Sequence, residues 1–149
     1  MPNPSSTEIT IRPAVCEDDR IIRTLVRSEH LNPLGLDWRN FLVAENSQRR
    51  IIGIGAVKKH GDGSRELASI AVAPEERGRG TAGAVIRTIL ARESKTAAGG
   101  GAGALYLTCR DSMKEFYKRF GFQVRGISSR TGAALYQKDR ASSNLTEKT

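Results

Sequence analysis

Three glycines and two arginines are the residues of this sequence whose spacing most plainly suggests chemistry. An apolar run ends at Val72-Ala73-Pro74-Glu75-Glu76 and continues as Arg77-Gly78-Arg79-Gly80-Thr81-Ala82-Gly83. Ala84, Val85, Ile86, Ile89 and Leu90 then recur at helical spacing. A strand, a glycine-rich loop and a helix in that order predict an anion cradle. Glycine lets backbone N–H groups approach a ligand with no Cβ in the way. The first amides of the helix lack partners and carry partial positive charge. Arg77 and Arg79 add full charges. The loop has no Gly-Lys-Ser/Thr ending, which excludes a Walker A loop. Gly78, Gly80 and Gly83 meet the Gly-x-Gly-x-x-Gly spacing of dinucleotide-binding folds, but that motif should open a βαβ unit and find an acidic residue about 20 positions on. Here it follows a meander of strands, and a Gly-rich stretch, Ala97 to Gly103, lies downstream.

The elements that must position this loop read as follows. Glu8 to Arg12 alternates polar and β-branched residues before Pro13, a first strand. Asp18 and Asp19 start a helix with Ile21, Ile22, Leu25 and Val26 on its inner face, fading near His30. Asp37 caps a short turn carrying Trp38. Phe41 to Glu45, Ile51 to Lys58 and Glu66 to Ala73 are strands, the last two joined by the turn His60-Gly61-Asp62-Gly63-Ser64. The nearly continuous apolar run from Leu67 to Val72 predicts a central strand buried on both faces. After the loop and its helix come a strand at Ala104 to Cys109 and a helix capped by Ser112 with Glu115 at the capping-box position. Gly121 ends that helix, and strands at Phe122 to Arg125 and Ala133 to Gln137 close the chain. The expected class is a mixed α/β sheet in one domain over residues 8–138. Residues 1–7 are expected to be a flexible lead, and 139–149 a polar, disordered tail.

Bulk properties bound the partners. The chain has 149 residues and a net charge of +8, which suits an anionic partner such as a phosphorylated cofactor or nucleic acid. Four Phe, three Tyr and one Trp supply a stacking platform for single strands poorly, and the basic residues are dispersed rather than massed, which argues against nucleic acid. No apolar run reaches the roughly 20 residues of a membrane span, and a soluble, cytoplasmic protein is expected. Cys16 and Cys109 have no companions at metal-ligand spacing, so neither a disulfide framework nor a metal is expected.

Arg77-Gly78-Arg79-Gly80-Thr81-Ala82 resembles the pyrophosphate loop of the GNAT superfamily of N-acetyltransferases, which reads Arg/Gln-x-x-Gly-x-Gly/Ala. Val72-Ala73-Pro74-Glu75 resembles that family's preceding strand end, and Phe116-Tyr117-Lys118-Arg119-Phe120-Gly121-Phe122 its Tyr-x-x-x-Gly-Phe segment. The resemblance covers roughly Glu8 to Gln137. It implies fourth and fifth strands that splay apart, about four flanking helices, and acetyl-CoA as cosubstrate with its acetyl group passed directly to an amine in a ternary complex. By the same resemblance, backbone groups at Ile70, Ala71 and Val72 pair with the pantetheine arm, with an N–H near Val72 on the thioester carbonyl. The segment Arg77, Gly78, Arg79, Gly80, Thr81 and Ala82 holds the pyrophosphate. Glu66 becomes the general base, with His60 as a competing candidate, and Tyr117 the acid that protonates the leaving thiolate. Relatives carry Asn where this chain has Arg110, which puts its contact with the arm in question. Cys109 is read as packing, and Glu66 could instead be a solvated residue paired with Arg65. The acceptor is a small molecule such as an amino acid or a protein amine, and the state a monomer or homodimer. A non-catalytic acyl-CoA-binding module is the main alternative, followed by a basic nucleic-acid-binding domain.

Overall fold

A computed structural model of the chain describes residues 8–98, 104–109, 111–127 and 134–139. The elements are β1 (Thr10–Pro13), α1 (Asp19–Ser28), β2 (Phe41–Glu45), β3 (Ile51–Lys59), β4 (Arg65–Val72), α2 (Thr81–Ala98), β5 (Ala104–Cys109), α3 (Lys114–Lys118), β6 (Gln123–Ile127) and β7 (Ala134–Asp139). Their order is the one the sequence predicts. The strands pair in the order β1-β2-β3-β4-β5-β7-β6, a mixed sheet. The described residues contain three α-helices rather than four, because Trp38–Asn40 makes only one 3-10 turn. Asp37 caps that turn as expected, accepting from the Arg39 N–H at 3.0 Å. The chain divides into two compact units, one drawn from Met1–Val57 with Ala68–Ile89 and the other from Lys58–Leu67 with Leu90–Thr149.

In the first unit β1, β2 and β3 form an antiparallel meander, with Ile11 opposite Ala44 and Val43 opposite Ile54. The inner face of α1 is Ile22, Leu25 and Val26, which cluster with Phe41, Val43, Ile54, Ala56 and Ala71, whereas Ile21, expected beside them, is exposed. Arg12 ties the strands to the start of that helix by donating to Asp18 at 2.7 and 3.2 Å and to Glu45 at 2.8 Å. Asp18 is buried and also accepts from the Val15 N–H at 2.8 Å. The Arg12 guanidinium holds its carboxyl below the ordinary value. The first half of α2 lies against β3 through two glycines. A Cβ on Gly55 would stand 2.6 Å from Val85 and 2.7 Å from Ile70, and one on Gly53 would stand 2.8 Å from the Thr81 methyl. Side chains at 53 or 55 would lift the helix off the sheet.

Strand β4 departs from the expected two-sided burial. Only Leu67 and Ala71 are fully buried along it, and its other residues are half-buried. Ser69, in its middle, has φ of 56°. A left-handed non-glycine residue costs about 1–2 kcal/mol and breaks the two-residue alternation of a strand, so β4 is locally irregular and cannot present two flat apolar faces.

In the second unit β4 begins parallel to β5, with Arg65 opposite Leu105 and Glu66 opposite Tyr106. Strand β7 then pairs antiparallel with both β5 and β6, so the last strand in sequence lies between two earlier ones. The expected Ser112 cap is not used. Asp111–Met113 forms a 3-10 turn and α3 opens behind Met113 with no side-chain cap, because the chain is already turning tightly at Ser112.

Candidate functional site

The loop predicted to hold an anion is built from backbone. Gly78 and Gly80 have φ of 82° and 79°, a region that side-chain-bearing residues avoid. The Gly80 carbonyl accepts from the Ala84 N–H at 3.0 Å, which places glycine immediately before the first helical residue. Glycine has no side-chain oxygen to occupy the amides of Thr81, Ala82 and Gly83, so these donors at the positive end of α2 stay available. Thr81 is buried, and its Oγ1 has no hydrogen-bond partner. Such an orphan costs about 1–3 kcal/mol. Unfilled amides and an orphaned hydroxyl at one helix start fit a phosphate-bearing ligand. The arginines do less than the sequence suggests. Arg77 donates to the Glu29 carboxylate, and Arg79 to Glu76 at 3.1 Å. Both guanidinium groups are exposed, and exposed pairs of this kind are worth at most about 1 kcal/mol, so a diphosphate could displace them. Ile70, Ala71 and Val72 lie just beyond the irregularity at Ser69.

At the other end of β4 the structure brings together residues that the sequence offered as rivals. His60 Nε2 lies 2.9 Å from Glu66 Oε1. The His60 ring stacks on Tyr106, with centroids 6.1 Å apart and planes 21° from parallel. The Tyr106 hydroxyl is 3.3 Å from Ser64 Oγ, which in turn lies 2.6 Å from Asp62 Oδ1. Arg65 does not pair with Glu66. Neighbours on a strand face opposite ways, and Arg65 donates two bonds, at 2.6 and 2.7 Å, to Glu93 on α2. Glu93 is only 6% exposed, so this pair pins α2 to the start of β4.

Tyr117 on α3 meets Phe116 and Phe122 edge-on. Burial, with the neighbouring Cys109 as a second cause, pushes its phenol up to about 12. The proton therefore stays on Tyr117 throughout the neutral range, but it is a weaker acid than an ordinary tyrosine. Cys109 is half-exposed beside it. Arg110 lies outside the described residues, as do 1–7, most of the Gly-rich stretch and 140–149. Sequence reasoning missed Ser69, Tyr106 and Glu93. A strand serine carries no signal of a left-handed backbone, and the register that sets Tyr106 opposite Glu66 is not written in either segment. Among the described residues no group of three or more His, Cys, Asp or Glu could hold a metal, and no helix is long and apolar enough to cross a membrane.

A family model described as an acetyltransferase (GNAT) domain matches residues 37–124, more than half of the chain, and the chain belongs to that family. The fold is similar to that of N-acetylglutamate synthase from Neisseria gonorrhoeae, crystallised with coenzyme A and L-arginine: TM-score 0.70, 20% identity, 88% of this chain and 33% of that one. This chain therefore spans about a third of the length of that enzyme. It is also similar to phosphinothricin acetyltransferase from Sinorhizobium meliloti in complex with AcCoA, with TM-score 0.70, 20% identity and 88% of each chain covered. A GNAT acetyltransferase from Staphylococcus aureus gives TM-score 0.68 at 15% identity over 89% of this chain and 99% of that one. No curated protein gave a significant match.

Proposed function

We propose that the chain transfers the acetyl group of acetyl-CoA to the primary amine of a small molecule, an amino acid being the acceptor class, by direct attack in a ternary complex. The observation that carries the reading is the start of α2, where Gly80 leaves the helical amides uncapped and Thr81 Oγ1 has no partner. The amides of Arg79 to Ala82 would hold the pyrophosphate, with Arg77 and Gly78 completing the loop. Backbone groups of Ile70, Ala71 and Val72 would pair with the pantetheine arm, and the Val72 N–H would polarise the thioester carbonyl. Arg110 is retained as a contact of the arm or of a phosphate.

Bound acetyl-CoA supplies an acyl group activated as a thioester. The rest falls to side chains of this chain. An amine attacks only when neutral, so Glu66 accepts its proton. Tyr117 carries a proton at neutral pH and gives it to the departing sulfur. Two things support a carboxylate-bearing acceptor. The net charge is +8, and one structurally similar protein is a synthase of N-acetylglutamate, also crystallised with that compound.

Calorimetric titration of acetyl-CoA tests the cradle, with Gly80→Glu as control. One-site binding that weakens by about 100-fold or more in the variant is expected, since the change adds negative charge to the amides and strains a left-handed backbone. Wild-type protein that takes up no acetyl-CoA would overturn the reading. A panel of amino acids, polyamines and N-terminal peptides, followed by CoA release, then assigns the acceptor.

A further inference from the structure

We infer that His60 is a positioning residue for the Glu66 carboxylate, held in place by a side-chain series that ends at Asp62; the inference rests on the proton-accepting role proposed for Glu66. A carboxylate at a strand start has two rotatable bonds beyond χ1, and a base must present one oxygen to its proton within about 0.5 Å of the productive place. Glu66 is 23% exposed and bonded to His60 through Oε1 alone, which leaves Oε2 to take the proton. Glu66 is a carboxylate with no hydrogen to give, so His60 donates from Nε2, and its ring carries the proton there.

The ring is itself fixed. Tyr106 stands opposite Glu66 in the parallel register, on the same side of the sheet, and its ring lies under the imidazole. Ser64 has a single hydroxyl hydrogen. At 2.6 Å from Asp62 Oδ1, Ser64 donates that hydrogen to the carboxylate, so the Tyr106 hydroxyl is the donor in its 3.3 Å contact with Ser64. Asp62 also accepts from the Ser64 N–H at 2.8 Å, and these two bonds hold its carboxyl below the ordinary value. The series thus runs Tyr106 to Ser64 to Asp62, with His60 lying on Tyr106 and donating to Glu66.

Tyr106, Ser64 and Asp62 thus join the pair through described contacts. The guanidinium of the neighbouring Arg65 is turned away and doubly bonded to Glu93. A cation on Glu66 would favour its charged form and oppose uptake of a proton. A neutral imidazole N–H fixes the carboxylate with one hydrogen bond and adds no full charge beside it.

The chain has two histidines, so nitrogen-detected spectra of the full-length protein report His60 with one assignment variant, His30→Gln. The expected result is an imidazole held as the Nε2–H tautomer in wild type and released to a mixture in Glu66→Ala. A tautomer indifferent to Glu66→Ala overturns the inference. Two substitutions separate positioning from packing. His60→Phe keeps the stack on Tyr106 and loses the donor, whereas His60→Gln loses the stack and keeps a donor. CoA release from acetyl-CoA, with water as acceptor if no amine in the panel is turned over, should fall about tenfold or more in His60→Phe and stay within about threefold in His60→Gln, with the KM for acetyl-CoA unchanged. Equal rates in the two variants overturn it as well. Failure of the broader reading looks different, because acetyl-CoA then fails to bind wild-type protein at all.

Discussion

The loop between β4 and α2 and the cluster at the start of β4 do their work with opposite materials. The loop relies on backbone: glycines in the left-handed region, uncapped amides, and arginine heads engaged only in exposed pairs. The cluster relies on side chains joined by specific hydrogen bonds, His60 to Glu66 and Tyr106 to Ser64 to Asp62, beside the pinned pair of Arg65 with Glu93. On the function proposed above, the difference separates two tasks. A diphosphate is a diffuse anion that many amides can share, so its site tolerates changes of side chain but not of backbone. Proton uptake occurs at one oxygen, so its site tolerates changes of backbone composition but not of a single donor. Substitutions in the loop should change binding and spare the chemical step, and substitutions in the cluster should do the reverse.

The sharpest way to break this contrast is Glu66→Ala. It should lower kcat about 100-fold or more while the calorimetric Kd for acetyl-CoA stays within about twofold. A comparable loss of binding would erase the distinction. Next in size, Gly53→Ala should weaken acetyl-CoA binding about tenfold, because a Cβ there meets the Thr81 methyl at 2.8 Å and must shift the residue that opens α2. Unchanged affinity would show that the helix start is more compliant than its packing implies.

Tyr117→Phe should reduce kcat by about tenfold and leave binding alone. It also carries a pH signature. The folded phenol is pushed up to about 12 from an ordinary 10.0, so between those values the folded chain holds more protons than the unfolded one, and stability falls as pH rises. Alkaline denaturation followed by circular dichroism should show that decline in wild type and a weaker one in the variant; identical curves would contradict the burial of the phenol. The smallest effect belongs to Glu29→Gln. Freeing Arg77 from its carboxylate should tighten acetyl-CoA about two- to threefold at low salt, an advantage that disappears at high ionic strength.

The order of strands and helices was legible in the sequence because each element carries its own period and its own punctuation. The glycine loop was legible for the same reason, since its chemistry lies in consecutive residues. What escaped depends on how one segment is folded onto another, near or far, rather than on the pattern within a segment. His60 and Glu66 each looked like a candidate base, and only the turn that folds one onto the other makes them partners. Arg65 looked like the companion of Glu66 and instead faces the opposite way, towards Glu93, 28 residues further on. The capping box at Ser112 fits the local pattern but loses to the tight turn that precedes α3.

The place of β7 has a consequence for how the molecule is made. Ribosomes deliver β5 and β6 first, at about 5–20 residues per second, and neither is the other's neighbour. Each must wait with an open edge until Ala134–Asp139 emerges to pair with both. This half of the sheet is therefore closed by β7 rather than zipped up in the order of synthesis, and until β7 pairs, β5 carries one open hydrogen-bonding edge and β6 carries two.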